Sequence, residues 1–506
     1  MDAPTINKPK KTEIGISKLR NYVNGEWVTP KDCKWREIEN PSTGEMIAEF
    51  PLTSSADAYA AIAAAKAAFP AWAATPADRR TAPMFRLRDL IVANTEKIAR
   101  VLVEEMGKSL PDARAELKRA QENIEVACGM PVLQQGDKMI GASHGIDGEV
   151  IKLPMGVFGM ISPFNFPAMI PFWFMPYAVA AGNTYVIKPS SQVPCTMQII
   201  GEYIHAAGFP KGVINIVNGS HDVSDALIES PDVVGISLVG STRFCKELAV
   251  RCAGKGKRFQ AMGSAKNHLV VMPDAKVDDV IRNMITSGYG CAGQRCMASS
   301  VIVCVGDDMY KTVCDKFVAA SKEVITCDPL DPKVAGEGMV MGPVISKKAK
   351  DFILQMIETG VKEGATLALD GRNLKVPGRE KGHFIGTTVF TDVKPGMEIH
   401  KIEIFGPVQC IMKVNSLDEA IKIINEHEYG NGASIYTQNG WYARRFKLEV
   451  TCGMIGVNVG IPAPVAFLPF GGLKASQFAD IKAQGKAVID FFTEDKIITE
   501  RYWPEN

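Results

Sequence analysis

Two cysteines lie five positions apart in GYGCAGQRCMASSVIV, residues 288 to 303. A cysteine thiolate is a strong nucleophile, and the thioester it forms with an acyl group passes readily to a second nucleophile. Most buried cysteines, however, only pack, and twelve are spread over this chain. The stretch therefore raises two questions: which cysteine is the nucleophile, and what removes the group bound to it.

The composition favours an enzyme of small molecules over a nucleic-acid or membrane protein. The 506 residues suffice for two or three domains, and the formal net charge is only +1. The cysteines form no tight even framework, and residues 1 to 20 lack the apolar core of a secretory signal and most of the arginines of a transit peptide. We expect a cytoplasmic protein. The seven histidines show no metal-ligand spacing, so no metal site is expected.

Residues 153 to 187 contain no charged side chain and could be mistaken for a membrane span. Five prolines interrupt or border this stretch, which a spanning helix would not tolerate. We expect a strand, a turn and a helix buried in a soluble core instead. The prolines are Pro154, Pro163, Pro167, Pro171 and Pro176.

Short apolar runs alternate with longer helical segments from about residue 155 to 262. Such alternation is typical of a parallel sheet covered by helices on both faces. The segment is a candidate dinucleotide-binding domain, although it has no GxGxxG motif. The predicted strands are MGVFGMIS, TYVIKPS, GVINIVNG, VVGISLVGS and KRFQAMG, and the predicted helices are PAMIPFWFMPYAVAAG, TMQIIGEYIHAAG, SDALIES and RFCKELAVRCAGK.

The rest of the chain predicts three further parts. Residues 55 to 131 have helical periodicity and are expected to pack on the same sheet. Residues 267 to 462 repeat the strand and helix alternation and predict a second α/β domain. The tail, 488 to 503, alternates like a strand that needs a partner. A hairpin predicted at 137 to 153 could supply that partner, in this subunit or in a neighbour.

Five motifs now occur in an order that resembles the aldehyde dehydrogenase superfamily over nearly the whole chain: SPFNFP, GNTYVIKPS, GSTR, AGQRC and EIFGPV. Within it, AKNHLVVMPDA and NVGIPAPVAFLPFGG are most similar to methylmalonate-semialdehyde dehydrogenases. The resemblance implies an α/β fold with three parts. These are a Rossmann-type NAD(P)-binding domain (15–133 and 153–262), an α/β catalytic domain (263–470) and a small β oligomerisation element (134–152 and 484–506).

The resemblance also implies roles for two catalytic residues. Cys296, after GQR, matches the nucleophile that attacks the aldehyde, and Cys291 matches no functional position and is expected to pack. Asn165 in PFNFP matches the amide that, with the backbone N–H of Cys296, holds the developing oxyanion. Such a donor can be worth about 3 kcal/mol of barrier. Without the motif, Asn165 would be interpreted as a turn residue before proline.

The cofactor residues are likewise implied by the resemblance, which points to NAD as the cofactor. Lys188 matches the residue that binds the adenine-ribose hydroxyls, and Ser241 lies where a pyrophosphate would meet a helix N-terminus. Glu403 matches the carboxylate on the nicotinamide ribose, and Phe405 lies beside it. Without the motifs, Ser241 would be interpreted as a helix cap and Glu403 as an exposed acid in a loop. The remaining cofactor residues are Ser162, Phe164, Ser190, Ser191, Gly240 and Gly263.

Two arginines match those that bind the substrate carboxylate in the semialdehyde branch. They are Arg119, in KRAQENIE, and Arg295, next to the nucleophile. A guanidinium fork suits a carboxylate because it donates two parallel hydrogen bonds. Taken separately, Arg119 could be a solvated charge on a helix. Arg295 alone is weak evidence, because other branches of the superfamily also have an arginine before the cysteine. Together they favour an acidic aldehyde.

The residue that activates water in most of the superfamily is replaced here. Met262 in AMGSAKN stands where that glutamate would be, and a thioether does not act as a base at neutral pH. Losing a general base removes about two to four powers of ten from hydrolysis. The semialdehyde branch shares this loss and uses coenzyme A as acyl acceptor. We therefore expect a thiol rather than water to release the acyl group, with the β-carboxylate leaving as carbon dioxide.

Three departures leave alternatives open. The usual glutamate after KPS is Ser191, which removes repulsion against a 2′-phosphate and predicts tolerance of NADP. Cys245 replaces a glycine near the pyrophosphate, and LKASQFADIKAQGK lacks the expected aromatic-rich loop. A different acidic semialdehyde, an acylating or hydrolytic reaction, and a catalytically silent relative all remain candidates. The resemblance suggests a homotetramer or a dimer.

Overall fold

The computed structural model describes residues 10–13, 15–333 and 339–503. Up to residue 133 the elements are β1 (Asn21–Val23), β2 (Glu26–Val28), β3 (Lys34–Glu39), β4 (Met46–Leu52), α1 (Ser55–Ala73), α2 (Ala77–Ala93), α3 (Thr95–Met106), α4 (Leu110–Cys128) and α5 (Met130–Leu133). To residue 262 they continue as β5 (Asp137–Ser143), β6 (Ile146–Pro154), β7 (Val157–Ile161), α6 (Met169–Phe172), α7 (Met175–Ala180), β8 (Thr184–Lys188), α8 (Cys195–Ala207), β9 (Ile214–Ile216), α9 (His221–Glu229), β10 (Val233–Val239), α10 (Thr242–Ala253) and β11 (Arg258–Met262).

The second half of the chain adds thirteen strands, seven helices and a 3-10 turn in the described residues. They are β12 (Asn267–Val271), α11 (Val277–Tyr289), the turn Gly290–Gly293, β13 (Ser299–Val305), α12 (Asp307–Lys322), β14 (Ile325–Thr326), β15 (Val340–Met341), α13 (Lys347–Lys362), β16 (Thr366–Leu369), β17 (Thr388–Thr391), α14 (Glu398–Lys401), β18 (Val408–Val414), α15 (Leu417–Glu426), β19 (Tyr429–Gly430), β20 (Gly432–Tyr436), α16 (Gly440–Glu449), β21 (Met454–Val457), β22 (Leu473–Lys474), β23 (Gln477–Phe478), α17 (Ala487–Phe492) and β24 (Thr493–Arg501).

The first large sheet has the order β2-β1-β9-β8-β7-β10-β11-β23. Its five central strands are parallel, as the alternation of apolar runs and helices predicts, and the outer strands β1, β2 and β23 add antiparallel. The chain moves outward from β7 through β8 to β9 and then returns to the other side of β7 with β10. Ligands of such sheets bind at this reversal, outside the carboxyl ends of the strands.

The uncharged stretch before Lys188 is buried inside this domain. It forms β7, two short helices and β8, where the sequence predicted one helix between the strands. The helix is divided because Pro171 lies inside α6 and Pro176 begins α7, and proline donates no backbone hydrogen bond. In the described part of the chain no helix is long and apolar enough to cross a membrane.

The second large sheet carries the other wall of the site. Its order is β16-β17-β18-β13-β12-β20-β21, parallel from β17 to β21 with β16 antiparallel at one edge. Its central strands β12 and β13 are almost continuously buried. They follow one another through α11 and the turn 290–293, so the segment that contains Cys296 lies between two core strands.

The third sheet, β24-β6-β5, is formed by the hairpin and the tail. β24 pairs with β6 from Thr493 opposite Pro154 to Arg501 opposite Ile146, so the partner of the tail lies in the same chain. The prediction of a strand over 488–503 is wrong for its first part, because 487–492 is the helix α17. The buried residues of 488–492 have a spacing that also fits one helix face. Residues 504–506 lie outside the described residues.

Three buried imidazoles pack edge to face under the second sheet. The Nε2 atoms of His268 and His400 are 3.0 Å apart, and Nε2 of His427 lies 3.2 Å from the His400 carbonyl oxygen. Burial lowers the pKa of all three, to about 3 for His400 and about 4 for His427. Among the described residues no group of three histidine, cysteine or acidic side chains is arranged to hold a metal.

The depressed imidazole pKa values predict a loss of stability in mild acid. Unfolded histidines titrate near pH 6.5, so below that pH the unfolded chain binds more protons and the free energy of unfolding falls. The variant His268→Gln should reduce proton uptake on unfolding at pH 5.5 by about one. Urea titrations at pH 7.5 and 5.5 measure the difference. His221→Gln, at an exposed position, is the control. Equal pH dependence in His268→Gln and the wild type would contradict the prediction.

Candidate active site

A cleft of about 440 Å³ opens at the carboxyl ends of the parallel strands of the first sheet. The segments after β7, β8, β10 and β11 form one wall, and the loop after α14 forms the other. All ten residues predicted for the cofactor line this cleft: Ser162, Phe164, Lys188, Ser190, Ser191, Gly240, Ser241, Gly263, Glu403 and Phe405. Asn165 and Cys296 line it as well.

Polar groups inside the cleft fit a dinucleotide. Lys188 is 6% exposed, and within the described part of the chain its ammonium donates only to the Pro189 carbonyl, at 3.1 Å. Burial, with a smaller contribution from Arg36, lowers its pKa to about 8. The Ser162 hydroxyl is buried and has no protein partner in the described residues. Ser241 is the N-cap residue just before α10, and its side chain makes no capping bond. These donors, with the free N–H groups of the helix, suit ribose hydroxyls and phosphates.

The opposite wall holds a strained aromatic residue and a buried acid. Phe405 has φ 55°, which is unusual for a residue with a bulky side chain, and its ring contacts Phe164 edge to face at 5.7 Å between centroids. Glu403 accepts a hydrogen bond from the Ala265 N–H at 2.9 Å. Burial raises the pKa of Glu403 to about 7.

Cys296 lies where this cleft meets a second cavity. Two buried amides hold its backbone, because Asn267 Nδ2 and Asn431 Nδ2 each donate to the Cys296 carbonyl oxygen at 2.9 Å. Burial raises the pKa of the thiol to about 12, and the charge of Glu403 contributes in the same direction. The resting group is therefore a neutral thiol that reaches both cavities.

Asn165 reaches the same point from the first sheet. Its side-chain Nδ2 donates to the Gln294 carbonyl at 3.0 Å, and its backbone carbonyl accepts from Lys108 Nζ at 2.6 Å. An amide nitrogen has two donors, so one N–H of Asn165 remains for an oxyanion. The structure thus brings the two predicted catalytic residues together at one cleft.

The second cavity, of about 260 Å³, contains both predicted substrate arginines and Cys296. Each arginine already faces a carboxylate. Arg119 Nη1 donates to Glu122 at 2.8 Å, and Arg295 forms an ion pair with Asp112. The apolar wall consists of Phe166, Met169, Trp173, Met297, Ile461 and Phe470.

The pairing of Arg295 differs from the free fork that the sequence suggested. Asp112 holds the guanidinium and also accepts the Cys291 N–H, while Arg295 Nε lies 3.3 Å from the Cys291 sulfur. Cys291 is thus buried and supports Arg295. Asp112 and Glu116, both in the cavity wall, were missed by the sequence reasoning. Their spacing from Arg119, at i, i+4 and i+7 of α4, is the signal that marks one helix face.

Two residues near the cleft floor, Met262 and Cys245, differ from the residues usual in the family, and both are buried. Met262 ends β11, is 4% exposed and packs in the hydrophobic core. It is not among the described residues that line either cavity. Cys245 is fully buried, with its sulfur 3.8 Å from the Gly240 carbonyl. Cys245 therefore packs beneath the turn at Gly240. The sequence had left open whether this cysteine alters a contact to the cofactor.

The aldehyde dehydrogenase family model matches residues 27–498. The chain belongs to the aldehyde dehydrogenase family. It is accordingly an oxidoreductase acting on an aldehyde group, and the fold class and resemblance inferred from the sequence are confirmed.

Relatives of this aldehyde dehydrogenase include several semialdehyde enzymes. It is 44% identical to malonate-semialdehyde dehydrogenase of Pseudomonas aeruginosa over 96% of this chain and 97% of that one. It is also 44% identical to the acylating mitochondrial methylmalonate-semialdehyde dehydrogenase of Arabidopsis thaliana, over 96% and 79%. A Sinorhizobium meliloti structure described as a methylmalonate-semialdehyde dehydrogenase with NAD matches with a TM-score of 0.94, 40% identity and coverage of 97% and 99%.

The electrostatics of the site predict how the aldehyde dehydrogenase thiol reacts in the absence of cofactor. Because the Glu403 charge raises the pKa of Cys296, Glu403→Gln should speed alkylation of Cys296 by iodoacetamide at pH 8, about two- to fivefold. Peptide mass spectrometry measures the rate at Cys296 alone. Glu125→Gln on the surface of α4 is the matched control. Slower alkylation in Glu403→Gln would show instead that Glu403 assists ionisation of the thiol.

Proposed function

We propose that the protein oxidises malonate or methylmalonate semialdehyde with NAD and transfers the resulting acyl group to coenzyme A, with loss of carbon dioxide. The observation that carries the acyl transfer is the buried thioether of Met262 at the end of β11, where a water-activating carboxylate would stand. The names of the relatives support the substrate, and the neighbour solved with NAD supports the cofactor.

The first half of the reaction uses Cys296 and Asn165. The Cys296 thiol loses its proton to solvent, and its sulfur attacks the aldehyde carbon. The carbonyl oxygen becomes an oxyanion that the Asn165 amide and the Cys296 N–H stabilise. Lys188, Ser241 and Glu403, which line the cleft, would hold NAD, and the cofactor would supply the hydride acceptor for oxidation to the thioester. Phe405 packs against Phe164 and keeps this part of the cleft apolar.

The second half needs an acceptor that works without a carboxylate base. Glu116 lines the substrate cavity, but its Oε1 accepts two backbone N–H groups and its Oε2 accepts the Lys108 ammonium. Three of its four lone-pair positions are therefore already engaged by protein donors. A thiol is more acidic and more nucleophilic than water, so coenzyme A can attack the thioester where water reacts slowly.

Loss of the β-carboxylate would use the same oxyanion site. When carbon dioxide leaves a malonyl thioester, the C–C electrons move into the thioester carbonyl and form an enolate, which is then protonated at carbon. The enolate oxygen occupies the position of the earlier oxyanion, so the Asn165 amide stabilises both. Arg119 and Arg295 would orient the carboxylate, and Arg295 would share its guanidinium with Asp112.

The surface of the third sheet supports an assembly of identical subunits, as a homotetramer or a dimer. Its edge strand β5 is fully exposed and carries Met139 and Ile140, which are 64% and 81% exposed, and β24 adds Ile497 at 72%. Apolar side chains on an unpaired edge invite a partner. The three sheets also support the division of the chain into a nucleotide domain, a catalytic domain and an oligomerisation element. The cytoplasmic location stays a prediction.

Two alternatives stay open, and the first concerns the chemistry. Another acidic semialdehyde would use the same arginines, and hydrolysis would need a base at a position other than that of Met262. The second, a silent relative, finds no support in the joint presence of Cys296, Asn165, Lys188 and Glu403 around one cleft.

The acyl acceptor is tested by reduced-cofactor formation from malonate semialdehyde. Without coenzyme A we expect a burst of about one equivalent per subunit that then stalls, because the thioester accumulates. With coenzyme A, turnover should continue and acetyl-coenzyme A should appear by mass spectrometry. The Cys296→Ala variant, which should show neither phase, is the control. Full turnover without coenzyme A would contradict the acylating reaction.

Cofactor choice is tested at Ser191, which lines the cleft two residues after Pro189. Ser191→Glu should weaken NADP use about 10- to 100-fold relative to NAD, because the new carboxylate repels a 2′-phosphate. The ratio of kcat/KM for the two cofactors measures this effect. Ser191→Gln, which has the same size without the charge, is the matched control. Equal ratios in Ser191→Glu and Ser191→Gln would show that charge at this position does not select the cofactor.

A further inference from the structure

A fully buried ion pair lies behind the oxyanion residue. Lys108 Nζ and Glu116 Oε2 are 2.5 Å apart, and neither side chain has any solvent exposure. Lys108 precedes α4 and Glu116 lies inside it. Burying two charges is costly, and an apolar pair of similar volume is often equally stable. Stability alone therefore does not account for this pair.

Beyond their contact with each other, both side chains bind one short segment, 165–169. Lys108 Nζ donates to the Asn165 carbonyl at 2.6 Å and lies 4.0 Å from the centroid of the Phe166 ring. Glu116 Oε1 accepts from the N–H groups of Ala168 at 2.8 Å and Met169 at 3.1 Å. The pair thus fixes the segment at its first residue and at its last two.

This segment has little else to fix its backbone. It lies between β7 and α6. Pro167 within it donates no backbone hydrogen bond, and the Phe166 carbonyl accepts only the Ile170 N–H, at 3.3 Å, among the described residues. It carries Asn165, whose side-chain amide faces the turn before Cys296. It also carries Phe166 and Met169, which line the substrate cavity. A shift of about 1 Å in an oxyanion donor is enough to lose much of its effect.

We propose that Lys108 and Glu116 are positioning residues that hold the Asn165 amide at the oxyanion site. The Lys108 ammonium fixes the Asn165 backbone from one side. The Asn165 side chain extends toward Cys296 on the other side. Glu116 keeps the ammonium in place and fixes the far end of the segment. This inference rests on the proposed role of Asn165 and Cys296 in acyl transfer and extends it to residues that do not touch the substrate's reacting carbon.

The test uses an activated ester, p-nitrophenyl acetate, because it needs neither cofactor nor semialdehyde. The Cys296 thiolate attacks the ester carbonyl, a tetrahedral oxyanion forms, and p-nitrophenolate leaves with the electrons of the broken C–O bond. The rate of the p-nitrophenolate burst therefore reports the oxyanion site. Lys108→Met should lower the burst rate constant about 10- to 100-fold. The Kd for NAD should change less than about twofold, since the pair binds no residue of the nucleotide cleft other than Asn165.

A double-mutant cycle separates positioning from general damage. If Lys108 acts through Asn165, Lys108→Met combined with Asn165→Ala should be no slower than Asn165→Ala alone. Arg114→Met is the matched control, because Arg114 lies on the same helix as Glu116 and forms an exposed ion pair with Glu96 of α3. Arg114→Met should react at the wild-type rate. Additive losses in the cycle would overturn the inference.

An apolar replacement keeps the test informative if a single variant fails to fold. Lys108→Met with Glu116→Leu removes both charges together and should unfold at a urea concentration close to that of the wild type. Its burst should remain slow, and a wild-type rate in this variant would overturn the inference. A wild-type enzyme that reacts with the ester but does not oxidise malonate semialdehyde would refute the proposed substrate and leave the positioning role standing.

Discussion

The site depends on buried amides that hold the backbone around Cys296. Asn267, at the start of β12, and Asn431, just before β20, donate to the Cys296 carbonyl oxygen. Asn165, from the segment after β7, donates to the Gln294 carbonyl two residues earlier. Buried amides with satisfied partners are rigid because an unpaired group would lose one to a few kcal/mol. The nucleophile is therefore fixed before any ligand arrives.

This rigidity explains how one thiol serves two cavities. In the proposed reaction, the cleft at the ends of the parallel strands receives the elongated cofactor, and the smaller cavity beside α4 receives the aldehyde. Of the residues that the structure describes, Cys296 alone lines both of these cavities. A reaction that moves a hydride from one ligand to the other needs the two to meet at a fixed carbon, and the bond to sulfur supplies that carbon.

Burial places three groups of the nucleotide cleft outside their ordinary titration ranges. The pKa of Lys188 falls to about 8, that of Glu403 rises to about 7, and that of Cys296 rises to about 12. Each shift favours the neutral form, as expected where water is excluded. A dinucleotide brings phosphate charge toward Lys188, which favours its ammonium form. Cofactor binding and the charge state of the cleft are therefore coupled.

Much of the fold and most of the site could be predicted because they follow local rules. The alternation of apolar runs located β7, β8 and β10, and the motifs located Cys296 and Asn165. Two features could not be predicted. The tail pattern of 488–492 fits a strand and a helix equally well, and only packing of Phe491 and Phe492 against Phe158 decides it. The partners of Arg295 also depend on tertiary contacts, because Asp112 lies far away in sequence.

The charge of the substrate cavity also depends on tertiary contacts that the sequence does not show. Two arginines in sequence suggest a strongly positive receptor, yet Asp112, Glu116 and Glu122 accompany them and Lys108 neutralises Glu116. A substrate carboxylate entering this cavity meets guanidinium groups that are already oriented and partly neutralised. Such a receptor binds an anion less tightly than free arginines would, but it holds the fork in a defined direction. That suits the proposed reaction, in which the acyl group loses the same carboxylate, because a receptor that bound the carboxylate too firmly would oppose the departure of carbon dioxide.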